Sequence, residues 1–170
     1  GAHIGAFGAK MQSWNLAIDD RPCMDLRKLE ASLRHHKRKH GLSLAMIDYL
    51  GLMDMPDGQN RAQAVADLTR GLKVLAGSLE IPILLLAQLN RKLEDRADKR
   101  PTMADLRDSG AIEQDAHTIL FLYRDSVYNP QTKYPEYTEC IIGKARDSER
   151  GLVIPLATRL DMMSFGNVAW

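Results

Sequence analysis

The run Leu44-Ala45-Met46-Ile47-Asp48 sets four apolar residues ahead of a carboxylate, and Ile83-Leu84-Leu85-Leu86-Ala87-Gln88 repeats the form with an amide. Short unbroken apolar runs suit strands buried on both faces, as in a parallel sheet. Between them Val65, Leu68, Leu72, Leu75 and Leu79 recur at alternating spacings of three and four. That stripe predicts a helix from about Asn60 to Leu79 lying on the sheet. Strand, helix and strand in alternation argue for an α/β fold with a largely parallel sheet. Parallel strands bring Asp48 and Gln88 out at one carboxyl edge, where open α/β sheets bind ligands.

Working outward, Asp25 is a good N-cap for a helix running to His40, with Gly41 just past its end. Leu26, Leu29 and Leu33 give that helix one apolar face. Pro82 stops the second helix and opens the strand that follows. The predicted strands are 15–18, 43–47, 82–87, 118–123, 137–143 and 152–157. The last two flank the polar, glycine-ended stretch Lys144 to Gly151, so they read as an antiparallel hairpin beside the parallel core. Asp54 to Asn60 and Asn90 to Gly110 are polar enough to be loops. A loop as long as the second is more often functional than accidental in a compact domain. Residues 1–14 read as a cloning scar or frayed lead-in, 15–157 as the folded body and 158–170 as a tail.

The composition narrows the function classes. The chain has 170 residues, with 23 Lys plus Arg against 22 Asp plus Glu, a formal charge of +1. No polybasic nucleic-acid tail or membrane anchor is written into that balance. The apolar run Ile83 to Ala87 falls far short of a membrane span, so no membrane partner is expected. Two cysteines, Cys23 and Cys140, cannot build a disulfide framework or a four-ligand zinc site, and they fit a reducing, cytoplasmic setting.

An apolar strand ending in Asp has the form of a Walker B segment, whose carboxylate holds the water shell of a nucleotide-bound Mg²⁺. The plainer alternative is an Asp that only ends a strand or starts a turn. No Gly-x-x-x-x-Gly-Lys-Ser/Thr occurs in the 170 residues, so this sequence carries no phosphate-cradling loop to accompany it. His36 and His40 stand one helical turn apart but lack a third ligand; a solvated basic helix end explains them better than a metal. From Arg91 to Arg100 there are five basic and three acidic residues, followed by Arg107, Asp108 and Gly110. No aromatic residue lies between Gln88 and Thr118, so nucleic acid here would be held by its backbone and not by base stacking. A solvated, salt-bridged loop is the competing reading.

Ala45-Met46-Ile47-Asp48-Tyr49-Leu50-Gly51-Leu52-Met53 resembles the Walker B segment of the bacterial replicative DNA helicase family, DnaB. Leu86-Ala87-Gln88-Leu89-Asn90-Arg91 resembles its Ser-Gln-Leu-Asn-Arg segment, with Ala in place of Ser. The runs Arg96 to Pro101, Asp105 to Ala116, Phe121 to Asp125 and Ile141-Ile142-Gly143-Lys144-Ala145-Arg146 resemble it further. The resemblance covers about Asn15 to Leu156. It implies the C-terminal part of a RecA-like motor domain, with the P-loop and catalytic Glu upstream of residue 1. It further implies ATP and Mg²⁺ as cofactors, a hexameric ring of copies around single-stranded DNA, and primase and a helicase loader as further partners.

Carried residue by residue, the resemblance makes Asp48 the Walker B carboxylate, reaching Mg²⁺ through water, and Gln88 the γ-phosphate sensor. It makes Lys144 and Arg146 the pair that reaches into a neighbour's site, and Arg107, Asp108 and Gly110 the loop holding the DNA backbone. Asp54 to Arg61 matches a second loop facing the channel. The sequence departs at Asp108, where the family usually has Glu, and at Asp147-Ser148-Glu149-Arg150-Gly151, in place of an Asn-Gly type turn. Two other readings share parts of this pattern. A non-catalytic DNA-binding or ring-assembly module would keep the fold without ATPase. A RecA-like recombinase or clock-type ATPase would share Asp48 and Gln88 but lack the Asp105 to Asp115 run.

Overall fold

The computed structural model describes residues 14–21, 24–55, 60–106, 109–146 and 151–168, with Ser109 placed by its backbone alone. Helix α1 spans Leu26–His40. The Asp25 carboxylate accepts from the Lys28 backbone N–H at 2.7 Å, satisfying one of the free donors of the first turn. At the other end Gly41 takes φ 78°, and its N–H donates to the Lys37 carbonyl. Four basic side chains in the last turn, Lys37 to His40, complement the helix dipole there.

Strand β1 is Ala45–Ile47, helix α2 is Arg61–Leu79 and strand β2 is Ile83–Leu85. Asn60 caps α2 through its side chain, and the five residues of the apolar stripe are all buried, Val65 completely. Burying a Leu of this kind stabilises by roughly 1.5–3 kcal/mol, so the stripe is what holds α2 down. The two strands pair in parallel, Ala45 with Ile83, Met46 with Leu84 and Ile47 with Leu85. Ala45 and Ile47 face the helices; Met46 and Leu84 stay exposed on the opposite face.

A second sheet carries the rest. Helix α3, Ser109–Asp115, leads into strands β3 (Ile119–Tyr123), β4 (Tyr137–Lys144), β5 (Val153–Arg159) and β6 (Ser164–Asn167). They form an antiparallel meander in that order. The expected hairpin is therefore the middle of a four-stranded sheet, since β3 pairs with β4 and the segment read as a tail supplies β6. Ile119, Phe121 and Tyr123 alternate inward along β3. Ile119 and Phe121 share one buried cluster with Leu29, Ile47, Val65, Leu68 and Ile112, so a single core ties both sheets to the helices. Gly143 of β4 lies against that core. A Cβ there would overlap the Phe121 ring and stand 3.2 Å from Met103 Sδ.

Two expectations need correction. Residues 15–18 form no ladder, and Leu16 and Ile18 are exposed. A strand needs a neighbour to take its N–H and C=O groups, and no described strand lies alongside; the bridge near the exit of β1 joins Met24 to Met53 instead. Nor is Asn90 to Gly110 an unstructured loop. It holds 3₁₀ turns at Arg91–Asp95 and Met103–Asp105, and it buries Leu93, Asp105 and Leu106.

Candidate functional site

The parallel register carries the site. The Leu86 N–H donates to the Ile47 carbonyl at 3.0 Å, and the Leu50 N–H donates to the Leu86 carbonyl at 2.9 Å. Asp48 thus leaves β1 level with Leu86, and Gln88 follows two residues later at the same carboxyl edge. Both side chains are exposed. The Asp48–Tyr49 peptide is cis. The edge offers a carboxylate for a hydrated cation and an amide able to donate or accept.

From this edge the chain runs directly toward the candidate DNA segment. Leu89 bridges Leu106 in antiparallel fashion, and the Asn90 N–H donates to the Asp105 carbonyl at 2.8 Å. The described backbone after Gln88 is thereby tied to the segment that ends at Leu106. Arg107 and Asp108 lie outside the described residues. Gly110 does not sit in a glycine turn: it is in the first turn of α3, exposed, with open space where a Cβ would be.

Much of the charge between residues 91 and 105 is used internally. Arg96 grips Asp105, whose Oδ2 also accepts from the Thr102 N–H and hydroxyl, each at 2.8 Å. Arg100 forks onto Glu139 at 2.9 and 2.8 Å and lies 4.8 Å from the Tyr123 ring centroid. Its pKa is raised, first by the Glu139 hydrogen bonds. Burial, then the bond its hydroxyl donates to Asp125, pushes Tyr123 up to about 12. Lys99 donates to the Glu94 and Arg96 carbonyls. A salt-bridged segment is what these residues build.

Lys144 ends β4, paired with Ile119, and its Nζ donates to the Glu113 carbonyl of α3. Arg146 lies two residues beyond and is exposed. Among the described residues no hydrogen bond or ion pair joins either residue to Asp48 or Gln88, and the contact that places Lys144 is the one to the Glu113 carbonyl. An open cleft of about 1020 Å³ runs between the 88–101 segment and the antiparallel sheet, lined among others by Gln88, Asn90, Tyr123, Arg124 and Phe165. Arg124 and Phe165 were not legible as lining residues, because Arg124 follows β3 and Phe165 sits in the edge strand β6, far from residues 88–101 in sequence.

Among the described residues no group of three His, Cys, Asp or Glu could hold a metal. The His36 and His40 rings pack at 5.0 Å. Cys140 is free, and Cys23 lies outside the described residues. Asp48 as a lone exposed carboxylate fits a cation held through water, not one ligated directly by a cluster. No described helix is long and apolar enough to cross a membrane.

The profile of the DnaB-like helicase C terminal domain matches residues 2–167. The chain is 46% identical to the replicative DNA helicase DnaB of Pasteurella multocida, over 99% of this chain and 36% of that protein. It is 45% identical to the one from Haemophilus influenzae, over 86% and 32%. The chain thus spans about a third of the length of these relatives. A solved ATPase domain superposes with a TM-score of 0.93 at 33% identity, covering 98% of this chain and 59% of that one. A DnaB-like replicative helicase, solved with its interactions with primase, superposes at 0.92 and 33%, covering 97% and 40%. With the profile spanning nearly the whole sequence and both solved neighbours sharing its fold, the chain belongs to the DnaB-like helicase C-terminal domain family.

Proposed function

We propose that this chain is the C-terminal part of the motor of a hexameric, ATP-driven replicative helicase that moves on single-stranded DNA and unwinds duplex at the fork. The observation that carries the reading is the parallel register of β1 and β2, by which Asp48 leaves one strand level with Leu86 and Gln88 follows two residues on at the same carboxyl edge. ATP with Mg²⁺ supplies the free energy when bound. Asp48 orients the metal's water shell, and Gln88 reads the terminal phosphate by hydrogen bonding. Lys144 and Arg146 serve a neighbour's site in the ring, where a guanidinium neutralises charge that develops on the transferred phosphoryl group.

Arg107, Asp108 and Gly110 hold the DNA backbone, and the segment at Asp54 to Arg61 faces the same channel. Primase and a helicase loader are the protein partners of this reading, and the cytoplasm is its setting. The solved helicase that engages primase supports the first of these by likeness.

The test uses the intact protein. ATP hydrolysis and unwinding of a forked duplex are measured for the parent and for Asp48→Asn, which keeps shape and removes the charge. Loss of both activities, by at least a hundredfold, is expected, on the scale of several kcal/mol of transition-state stabilisation. A parent that binds DNA without hydrolysing ATP would instead make the chain a ring or DNA-binding module.

A further inference from the structure

Thr69 is a polar residue on the buried face of α2, only 6% exposed. Its hydroxyl donates to Asp115 Oδ2 at 2.7 Å, across a sequence separation of 46 residues. Asp115 is the last residue of α3, and two residues earlier the Glu113 carbonyl takes the Lys144 ammonium. A seven-residue helix has little stability of its own and takes its position from what it packs against. Here that is Ile112 in the core and the Thr69–Asp115 bond at its C-terminal end.

We propose that Thr69 and Asp115 are positioning residues for Lys144. By fixing α3 they hold the Glu113 carbonyl, and through it the Lys144 ammonium, at the place from which it serves a neighbouring subunit. The inference rests on the role given to Lys144 under Proposed function. It goes beyond that role by naming the pair that sets it, which touches neither nucleotide nor DNA. Removing the bond leaves no stranded donor when it is done from the Asp115 side, because the Ala66 carbonyl lies 3.2 Å from the same hydroxyl.

The experiment is a double-mutant cycle in the intact protein, with steady-state ATP hydrolysis as readout. Thr69→Val is expected to lower kcat about fivefold, the scale of one hydrogen bond, with KM for ATP unchanged. Thr69→Ser, which keeps the donor, restores the parental rate. In a Lys144→Ala background the same Thr69→Val change is expected to alter kcat by less than twofold, since its target is gone. Asp115→Ala repeats the cycle from the half-buried partner and serves if Thr69→Val does not fold. An equal fold-loss in both backgrounds, or no loss in the parent, overturns the positioning role. If Lys144→Ala itself leaves kcat at the parental value, the role of Lys144 falls and the inference falls with it. If Lys144→Ala abolishes most turnover while Thr69→Val does not act, the inference alone falls.

Discussion

Arg96 grips Asp105 as a two-pronged fork, Nη1 at 3.1 Å from Oδ1 and Nη2 at 3.0 Å from Oδ2. The carboxylate is buried and takes two more hydrogen bonds from Thr102, while the Asp105 carbonyl receives the Asn90 N–H. One residue thus ties the stretch after Gln88 to the stretch before Arg107.

Asp105→Ala should destabilise the fold by about 2 kcal/mol, because it removes the buried carboxylate on which the Arg96 and Thr102 hydrogen bonds converge. Urea unfolding measures it. Burial raises the Asp105 pKa, but the Thr102 hydrogen bonds and the Arg96 charge outweigh it, so the folded value lies below 3.8. Its contribution is then complete above about pH 4 and is lost as pH falls through the lowered folded value. Asp105→Asn should flatten that part of the acid limb. An unchanged acid limb would mean the carboxylate is not the group titrating there.

Arg146→Ala in the intact protein should cut turnover by on the order of 10³-fold, with nucleotide binding and ring assembly retained. Mixing it with a P-loop variant should recover some activity, because a mixed ring contains interfaces with both halves intact. Near-normal turnover would return Arg146 to the status of a solvated hairpin residue.

Arg107→Ala should weaken single-strand binding equally for poly-dT and mixed sequences. It should also reduce the salt slope by roughly 0.7, the value for one phosphate contact on a single strand. Fluorescence anisotropy at several salt concentrations reads both. A defect confined to one base composition would point to base contact.

The 170-residue chain by itself should neither bind Mg²⁺-ATP tightly nor hydrolyse it. In the proposed reading Asp48 and Gln88 serve the metal and the terminal phosphate, and the 170 residues contain no Gly-x-x-x-x-Gly-Lys-Ser/Thr run to cradle the others. Calorimetry and phosphate release decide the point, and micromolar affinity would overturn it.

What could be read in the sequence was what is local. Asp25, Gly41 and Asn60 end their helices by contacts within four residues, and the Val65 to Leu79 stripe declares its buried face by period alone. Asp48 was legible as the residue after its strand for the same reason, whereas Gln88 stands three residues past the end of β2. Strand β6 was not, because Ser164-Phe165-Gly166-Asn167 is exposed throughout and shows no buried face to alternate with. The charges from Arg91 to Arg100 read either as phosphate contacts or as a solvated, salt-bridged loop, and the partner Arg100 finds, Glu139 at a separation of 39 residues, was not legible. The anchor of Lys144 is a backbone carbonyl, which no residue type announces.

Gly143 gives the Gly-Lys-x-Arg signature two independent authors. The glycine answers to the Phe121 ring and Met103 sulfur beneath it, which leave no room for a side chain. The lysine that follows meets the Glu113 carbonyl of its own subunit, and the reach into a neighbour is the role proposed for it and for Arg146. A relative that kept the fold but abandoned the motor would be free to change Lys144 and Arg146 while still writing glycine at 143. The glycine in this signature testifies to architecture, and the two cations are where the proposed work would be read.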